Sequence, residues 1–361
     1  MAPHPPSGRR LRCLAASLAP KAGAAAAAQS PPGSDPTLIA VEKLWPPAAD
    51  DGPAGQQHMF TDLIRYKGAF FCVFRQAEDH MSEDGVLLVV RSETGDAPWQ
   101  LVSTLTCPPP NRDLRDPKLS ITPDNELMLT AGAYRPQKEC RTYVWHSQDP
   151  SLGWSEPTGP VAPAGEWGWR TFWDRDGQAY LFTRSEAQRE ERVYGSAEDT
   201  YAQLYRSVDG GRRFAAHGPR QFEGIYANEY DAVFLADGTC KLLIRKDSHD
   251  TRAELGTSRP PYTDWSWQKS NLRIGGPALT QLPDGRLVAC CRLFNEPSTD
   301  IRRTALCWLD PTTAELTEFL TFPSGGDTSY AGMVVHEGVL FVSYYSSHES
   351  ATAVYLAKVK L

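Results

Sequence analysis

Four residues in the last third of the chain have side chains suited to chemistry and stand at or near the ends of predicted strands. Glu229 opens one strand, and Arg245 ends the strand that returns from it after a turn. Arg303 and Tyr330 follow, each within an apolar segment of its own. Guanidinium groups bind carboxylates at two points, and a tyrosine becomes a nucleophile when an adjacent base takes its proton. Whether these residues meet in one site depends on the elements that position them.

A tight turn followed by an apolar strand recurs along the chain. It occurs as YKGAFFCVFR, TPDNELMLTAG, DRDGQAYLFTR, LADGTCKLLIR, LPDGRLVACCR and HEGVLFVSYY. Asp-Gly before apolar residues is a strong signal for a hairpin. The spacing of about 50 residues suits six four-stranded blades, and no segment outside the N-terminus has sustained helical periodicity. The sequence therefore predicts an all-β fold, a six-bladed β-propeller.

A second repeat has the form Ser-x-Asp-x-Gly-x-x-aromatic and is clearest in SVDGGRRF, which begins at Ser207. Here Asp209 can accept hydrogen bonds from nearby backbone N–H groups, the two glycines can take positive φ angles, and Phe214 can pack beneath the turn. Weaker copies begin at Ser92, Ser147 and Ser258. The spacing is about 50 to 60 residues, which is typical of repeat architectures, although chance recurrence of turn residues is the alternative.

This second pattern resembles the Asp-box, or BNR repeat, of the sialidase (neuraminidase) superfamily, whose members are six-bladed propellers. The box lies on outer turns, away from the catalytic face. The resemblance therefore implies a sialidase-like fold over roughly residues 40–361 and says nothing of activity.

Three further segments resemble family motifs and occur in the family's order. NEYDAVFLADGTCKLLIR resembles a unit in which a glutamate acts as base toward a tyrosine and an arginine ends the next strand, which matches Glu229 and Arg245. IRRTALCWLD resembles a strand with a second substrate-binding arginine, which falls on Arg303, and GGDTSYAGMVVHEGVLFVSYY resembles the segment of the catalytic Tyr330. A neutral tyrosine nucleophile avoids the repulsion between a carboxylate nucleophile and the substrate carboxylate.

The chain departs from the family where the family carries its first arginine. Phe60 and Thr61 occupy that place in HMFTDLIRYKG. Arg75, on the next predicted strand, is expected to point into the same cleft as a substitute.

The family's general acid is an aspartate in the loop that follows, which has the sequence RQAEDHMSEDG here. Asp79 and Asp84 are both candidates. Asp84 precedes a glycine and has a simpler interpretation as a turn residue, so Asp79, next to His80, is the predicted acid that protonates the leaving oxygen.

Two other clusters are candidates for the cleft. In NRDLRDPKLS, Arg115 and Asp116 are predicted to bind substrate, because Arg-Asp-Pro opens inner strands in other glycosidase propellers; a surface turn with local ion pairs is the alternative. In EWGWRTFWD, Trp167 and Trp169 can form a platform for a sugar, or they can pack in the core.

Composition sets further limits. The chain has 361 residues, of which 41% are hydrophobic, and a net charge of −7, which argues against a nucleic-acid or anionic-membrane surface. Its eight cysteines show no CxxC and no zinc-like spacing, so thiols are expected. The proposed mechanism requires no metal, and no nucleotide motif is present, so no cofactor is predicted.

The N-terminal segment differs from the rest. Residues 1–36 are rich in Ala, Pro and Ser, with a basic start, and cannot supply a core. They are predicted to be a targeting segment, for secretion or an organelle, or a disordered tail; the short apolar stretch does not span a membrane. The propeller is predicted over 37–361, with the strands TLIAVEKLW and AVYLAKVKL paired to close the ring.

Together these observations predict a sialidase-like glycoside hydrolase that releases a terminal sialic acid or related acidic sugar. The missing first arginine keeps two alternatives open. One is a glycosidase or lyase on another acidic sugar, and the other is a noncatalytic carbohydrate-binding propeller.

Overall fold

Tight turns of the predicted kind separate the strands of the chain. In this computed structural model the described residues are 1, 36–47, 55–107, 109, 113–134, 140–185, 200–295, 302–349 and 351–361. They form strands, turns and irregular segments but no helix. The prediction for the N-terminal segment therefore lies almost wholly outside the described residues, and the division of the chain at residue 37 stays a prediction.

The strands form antiparallel sheets. Two sheets follow chain order, with four and three strands: β2 (Gln57–Tyr66), β3 (Ala69–Ala77), β4 (Val86–Ser92) and β5 (Gln100–Leu105); then β6 (Asp113–Ile121), β7 (Leu127–Tyr134) and β8 (Cys140–Ser147). A third has four strands, β9 (Glu166–Trp173), β10 (Ala179–Ser185), β11 (Ala202–Ser207) and β12 (Ala215–Ala216).

A seven-stranded sheet comes next. It comprises β13 (Ala227–Phe234), β14 (Cys240–Lys246), β15 (Arg252–Ser258), β16 (Ser266–Gln281), β17 (Leu287–Phe294), β18 (Arg302–Leu309) and β19 (Leu316–Thr321). The first half of β16 pairs with β15 and its second half, from Ile274 onward, pairs with β17. One uninterrupted strand therefore belongs to two successive groups of strands.

The last sheet joins the two ends of the described chain. Its order is β1 (Thr37–Trp45), β22 (Ala353–Lys360), β21 (Val339–Ser346) and β20 (Thr328–His336). Thr37 pairs with Lys360 at the start of an antiparallel ladder. The predicted pairing of the terminal strands is confirmed.

The six predicted turns all lie between paired strands. Each contains a residue with positive φ, and these residues are Gly68, Asn125, Gly177, Gly238, Gly285 and Gly338. They connect β2 to β3, β6 to β7, β9 to β10, β13 to β14, β16 to β17, and β20 to β21. The hairpins were predictable because a tight reversal of this kind requires backbone angles that glycine and asparagine tolerate.

The SVDGGRRF segment forms the expected turn after β11. The Asp209 carboxylate accepts hydrogen bonds from the N–H groups of Arg212 and Arg213, at 3.1 and 2.9 Å. Gly210 and Gly211 have φ angles of 76° and 77°, and Phe214 packs against a small apolar cluster. The serines that begin the four copies end β4, β8, β11 and β15, so the repeat keeps one structural place.

Six strands line the centre of the molecule. β2, β6, β9, β13, β16 and β20 contact one another in that order, and β20 contacts β2. Apolar side chains fill the spaces between neighbouring groups of strands, including the two groups that β16 joins. The seven cysteines among the described residues are free thiols, as predicted.

Candidate functional site

A β-bulge interrupts each of the six central strands. The first residues of these bulges are Phe60, Asp116, Trp169, Asn228, Gly276 and Tyr330. A bulge redirects side chains out of the regular alternation and is frequent next to active sites. Phe60, Asp116 and Tyr330 have φ angles of 59°, 52° and 48°. A left-handed backbone at such residues costs roughly 1 to 3 kcal/mol each and is concentrated at functional sites.

Tyr330 and Glu229 meet at this centre. The Tyr330 hydroxyl donates a hydrogen bond of 2.5 Å to Glu229 Oε1, and both groups are buried. Glu229 also accepts hydrogen bonds from Arg245 Nη1 at 2.7 Å and from the Gly276 N–H at 2.7 Å. The structure thus brings together three residues that the sequence predicted as one unit.

The charges around this pair fix its protonation. Burial alone would raise the pKa of Glu229, but the charge and hydrogen bonds of Arg245 hold that pKa at about 2. Burial and the neighbouring Glu229 carboxylate raise the pKa of Tyr330 well above its ordinary value. The resting state is a neutral phenol that donates to an ionised carboxylate, which is the state required of a nucleophile and its base.

A second arginine, Arg292, lies over the Tyr330 ring, with its guanidinium carbon 5.3 Å from the ring centroid. Its Nε donates to the Thr328 carbonyl, and its Nη2 donates to Asp327 and to the Tyr345 hydroxyl, at 3.0 and 2.9 Å. Arg292 was not among the site residues predicted from the sequence.

A signal for Arg292 was nevertheless present in the sequence. Arg245 stands seven residues after the turn glycine Gly238, and Arg292 stands seven residues after Gly285. Because the two hairpins are equivalent, equal spacing from the turn places both guanidinium groups at the same end of their strands.

Arg303, predicted beside Arg245, lies elsewhere. Its strand partner is Leu293, the residue after Arg292, so its side chain projects from the opposite face of the sheet. Its guanidinium donates to Glu318 at 3.0 and 2.6 Å and lines an outer groove of about 390 Å³. The expectation that Arg303 and Arg245 converge is wrong, because Glu318 on the neighbouring strand β19 binds the Arg303 guanidinium, whereas Arg245 is bound to Glu229 and Asp247.

Arg75 and Arg115 also differ from expectation. Both donate to the buried Asp113 carboxylate, and Arg75 also donates to the carbonyls of Asp79 and Ser82, at 2.9 and 2.8 Å. The Arg75 residue is 0% exposed, so its donors are taken by the protein, and it is not available to a ligand. Arg115 is buried as well and lies 5.1 Å from the ring centroid of Tyr134. These two arginines hold the loop after β3 in place.

Asp79, the predicted acid, is exposed and caps its own turn. One carboxylate oxygen accepts hydrogen bonds from the N–H groups of Met81 and Ser82, at 2.5 and 2.7 Å. Asp84 accepts from the Glu78 N–H. The structure gives neither carboxylate a contact with Tyr330, because each is captured by local backbone donors.

Asp116 is brought to the centre as expected. It is 7% exposed, and its Oδ1 has no hydrogen-bond partner among the described residues. Burial raises its pKa to about 6, with Lys118 opposing the rise and Glu229 adding to it. The Asp116 carboxyl therefore lies within the electrostatic reach of Glu229 and Tyr330.

Lys118 is a buried cation beneath this site. Its Nζ donates to the Thr61 carbonyl at 3.0 Å and lies 5.0 Å from the Trp169 ring centroid and 5.8 Å from that of Tyr330. Trp169 itself is 2% exposed and contacts the Tyr330 ring edge to face. Trp169 therefore packs against the tyrosine and does not form an open platform for a sugar.

A layer of ion pairs closes the region around Lys118. Arg170 donates two hydrogen bonds to Asp62, at 3.0 and 2.8 Å, and lies 3.3 Å from Asp231. Each aspartate also accepts a backbone N–H from the adjacent central strand, that of Leu119 or Leu279. These bonds tie neighbouring strands together below the bulges.

The described residues contain no group of three acidic, histidine or cysteine side chains arranged to hold a metal ion. Within the same residues, no helix is long and apolar enough to cross a membrane.

No protein-family model matches the chain, and no curated protein matches it in sequence. Solved structures do. A protein of unknown function from Dyadobacter fermentans DSM 18053 is 16% identical, with a TM-score of 0.74, over 91% of this chain and 100% of that one. The fold is that of a β-propeller. Trypanosoma rangeli sialidase, in complex with the inhibitor DANA, matches at 10% identity and a TM-score of 0.62, over 84% of this chain and 55% of that one.

A third similar structure carries a different activity in its name. Penicillium chrysogenum alpha-L-arabinanase, complexed with arabinobiose, is 12% identical with a TM-score of 0.62, over 89% of this chain and 98% of that one. The chain spans about half the length of the Trypanosoma rangeli sialidase. At these identities the likeness concerns the fold, and function has to be argued from the site.

Proposed function

We propose that the protein is a sialidase-like glycoside hydrolase in which Tyr330 is the nucleophile and Glu229 its base. The observation that carries the proposal is the 2.5 Å hydrogen bond from Tyr330 to Glu229, made at the centre of a propeller and backed by Arg245. Sialidases and an arabinanase among the similar structures support a glycosidase over other functions of this fold.

We also propose six blades. The long strand β16 supplies the outer strand of one blade with its first half and the inner strand of the next with its second half. Divided there, the sheets become six groups, each led by one of the six central strands, with β1 completing the last. The recurring serine turns then follow the third strand of four blades, which is the basis for assigning them as Asp-boxes.

The substrate we propose carries a carboxylate. Arg245 and Arg292 flank Tyr330, and one terminal nitrogen of each, Nη2 of Arg245 and Nη1 of Arg292, makes no hydrogen bond within the described residues. Two guanidinium groups with free donors suit a carboxylate. Phe60 stands where the resemblance places the first arginine of sialidases, so the clamp proposed here has two arginines, and its substrate is a sialic acid or another acidic sugar.

In the proposed reaction, the Tyr330 oxygen attacks the anomeric carbon while its proton passes to Glu229. The bond from the anomeric carbon to the leaving oxygen breaks, and that oxygen takes a proton from an acid. Water then attacks the same carbon and gives one proton to the conjugate base of that acid, Tyr330 leaves and recovers its proton from Glu229, and the sugar is released. Asp116, whose buried Oδ1 has no hydrogen-bond partner within the described residues, is proposed to bind a sugar hydroxyl.

The test is turnover by purified protein on fluorogenic sialosides, uronides and arabinosides. On the active glycoside, Tyr330→Phe is expected to fold normally and to lose turnover by about 10³-fold or more, because the ring stays and the nucleophilic oxygen is gone. Glu229→Gln is expected to lose nearly as much. The double variant is expected to lose little beyond the worse single variant, since residues acting as a unit are non-additive.

Tyr344→Phe is the matched control, because Tyr344 is buried in the same sheet but donates to the Pro323 carbonyl, away from the centre. Full turnover by Tyr330→Phe would rule out Tyr330 as nucleophile. Binding of an acidic sugar without hydrolysis of any glycoside in the panel would favour a noncatalytic propeller.

A further inference from the structure

A histidine–aspartate pair lies at the rim of the proposed site. His80 Nδ1 is 2.7 Å from Asp327 Oδ2, and the His80 side chain is 45% exposed. Its other ring nitrogen, Nε2, has no hydrogen-bond partner within the described residues. A carboxylate that holds Nδ1–H fixes the orientation of an imidazole and leaves Nε2 to exchange protons.

This pair is joined to the site by two contacts. Asp327 Oδ1 accepts hydrogen bonds from Arg292 and from the Tyr345 hydroxyl, at 3.0 and 2.9 Å. The His80 ring meets Phe60 edge to face at 5.1 Å between centroids, and Phe60 is 5.3 Å from the Tyr330 ring. His80 is therefore one side chain away from the proposed nucleophile, and more exposed than it.

We infer that His80, oriented by Asp327, is the acid and base that serves the leaving group and the water in the reaction of Tyr330. This inference rests on the proposed function. It fills the role for which the sequence predicted Asp79, the residue next to His80 in the same loop. The Asp79 carboxylate is engaged by backbone donors of its turn, whereas the His80 ring packs against Phe60, which in turn contacts Tyr330.

The proton transfers balance over one cycle. In the first step protonated His80 gives its Nε2 proton to the leaving oxygen as that oxygen separates from the anomeric carbon. In the second step His80 takes a proton from the attacking water, and Glu229 returns its proton to the departing Tyr330 oxygen. The sum is hydrolysis of one glycosidic bond, with every protein group restored.

An ionised carboxylate lies next to the His80 ring. Burial alone would raise the pKa of Asp327, but the hydrogen bond from His80 and the Arg292 charge hold that pKa at about 2. The Asp327 carboxylate is therefore ionised next to the imidazole. Arg292 and the Tyr345 hydroxyl also donate to Asp327, and Tyr345 remains a neutral donor because burial raises its pKa well above the ordinary value. From its own loop, Asp79 is the adjacent carboxylate.

The experiment compares His80→Asn with the wild type on aryl and alkyl glycosides of the active sugar, from dinitrophenyl to phenyl to methyl. Asparagine can keep the hydrogen bond to Asp327 from the Nδ1 position but cannot transfer a proton. kcat/KM is expected to fall by about 10² to 10⁴-fold for the poor leaving groups and only slightly for dinitrophenyl. The fall of activity at high pH is expected to disappear in the variant.

An equal loss on every leaving group would overturn the assignment, since that outcome describes a structural role. The assignment would also be overturned if Asp116→Asn, and not His80→Asn, lost kcat/KM mainly on the poor leaving groups and lost the fall of activity at high pH. That result would make Asp116 the acid. These outcomes leave the nucleophile unaffected, whereas full turnover by Tyr330→Phe would remove the proposed function itself. Thermal unfolding of His80→Asn and Asp116→Asn checks that both variants keep the stability of the wild type.

Discussion

Replacement of Lys118 by methionine is expected to stabilise the protein at neutral pH. The ammonium group is almost completely buried, and its pKa falls from 10.5 to about 8 because burial opposes the charge more than Asp62 and the other nearby carboxylates favour it. At about 1.4 kcal/mol per pKa unit, keeping Lys118 charged at pH 7 destabilises the fold by about 3 kcal/mol. The variant also loses the hydrogen bond from Lys118 to the Thr61 carbonyl, which costs about 1 kcal/mol. The net stabilisation by Lys118→Met is therefore about 2 kcal/mol.

The pH dependence provides a second measure. The folded pKa of Lys118 lies below the unfolded value, so between about pH 8 and 10.5 the unfolded chain binds the proton more readily, and folding stability rises with pH. Below pH 8 both states are protonated and the full penalty applies. The advantage of Lys118→Met is therefore expected to be greatest near pH 7 and to shrink as the pH approaches 10.

Urea unfolding of wild type and Lys118→Met at about pH 7 and pH 10 measures both effects. Lys269→Met is the control, because Lys269 pairs with Asp250 at 2.6 Å with its side chain half exposed. It is expected to change stability by at most about 1 kcal/mol, equally at both pH values. The burial penalty at Lys118 would be refuted if Lys118→Met were less stable than wild type at pH 7. It would also be refuted if the difference in free energy of unfolding between the two proteins were the same at pH 7 and pH 10.

Two further predictions concern the layer beneath the site and the space beside the nucleophile. Arg170→Met is expected to lower the free energy of unfolding by about 3 to 5 kcal/mol, because it strands two buried carboxylates, whereas Arg212→Met, at a partly exposed ion pair, is expected to cost about 1 kcal/mol or less in the same urea titration. Gly276→Ala would place a methyl group 1.9 Å from the Tyr330 ring and is expected to abolish turnover. Gly338→Ala is the control, because Gly338 also has a positive φ but has open space around it, and this variant is expected to keep normal turnover. Normal turnover by Gly276→Ala would show that Tyr330 does not need its present position.

Much of the fold was visible in local sequence. The six turns and the paired terminal strands follow from glycine placement and from alternation of apolar residues, which act over a few positions. Glu229 and Arg245 lie on one hairpin, but they were predicted as a unit because that segment resembles a unit of the sialidase family. Tyr330 comes from a distant strand, and its prediction depended on resemblance to a family.

The errors have one physical source, which is competition for a side chain. Arg303 looked equivalent to a binding arginine, but Glu318 on β19 binds its guanidinium. Arg75 and Asp79 looked free to bind substrate, but Asp113 and the backbone of the adjacent loop satisfy them. Sequence types identify what a side chain can bind, and only the folded neighbourhood decides what does bind it.

The long strand β16 has a mechanical consequence for the proposed clamp. Arg245 lies on β14 and Arg292 on β17, and the groups of strands that hold them are joined by the continuous backbone of β16 rather than by a loop. Because no loop separates these two groups of strands, the distance between the two guanidinium groups is expected to vary little. The entropy of bringing two donors to one carboxylate is lost when the chain folds, so binding does not have to supply it.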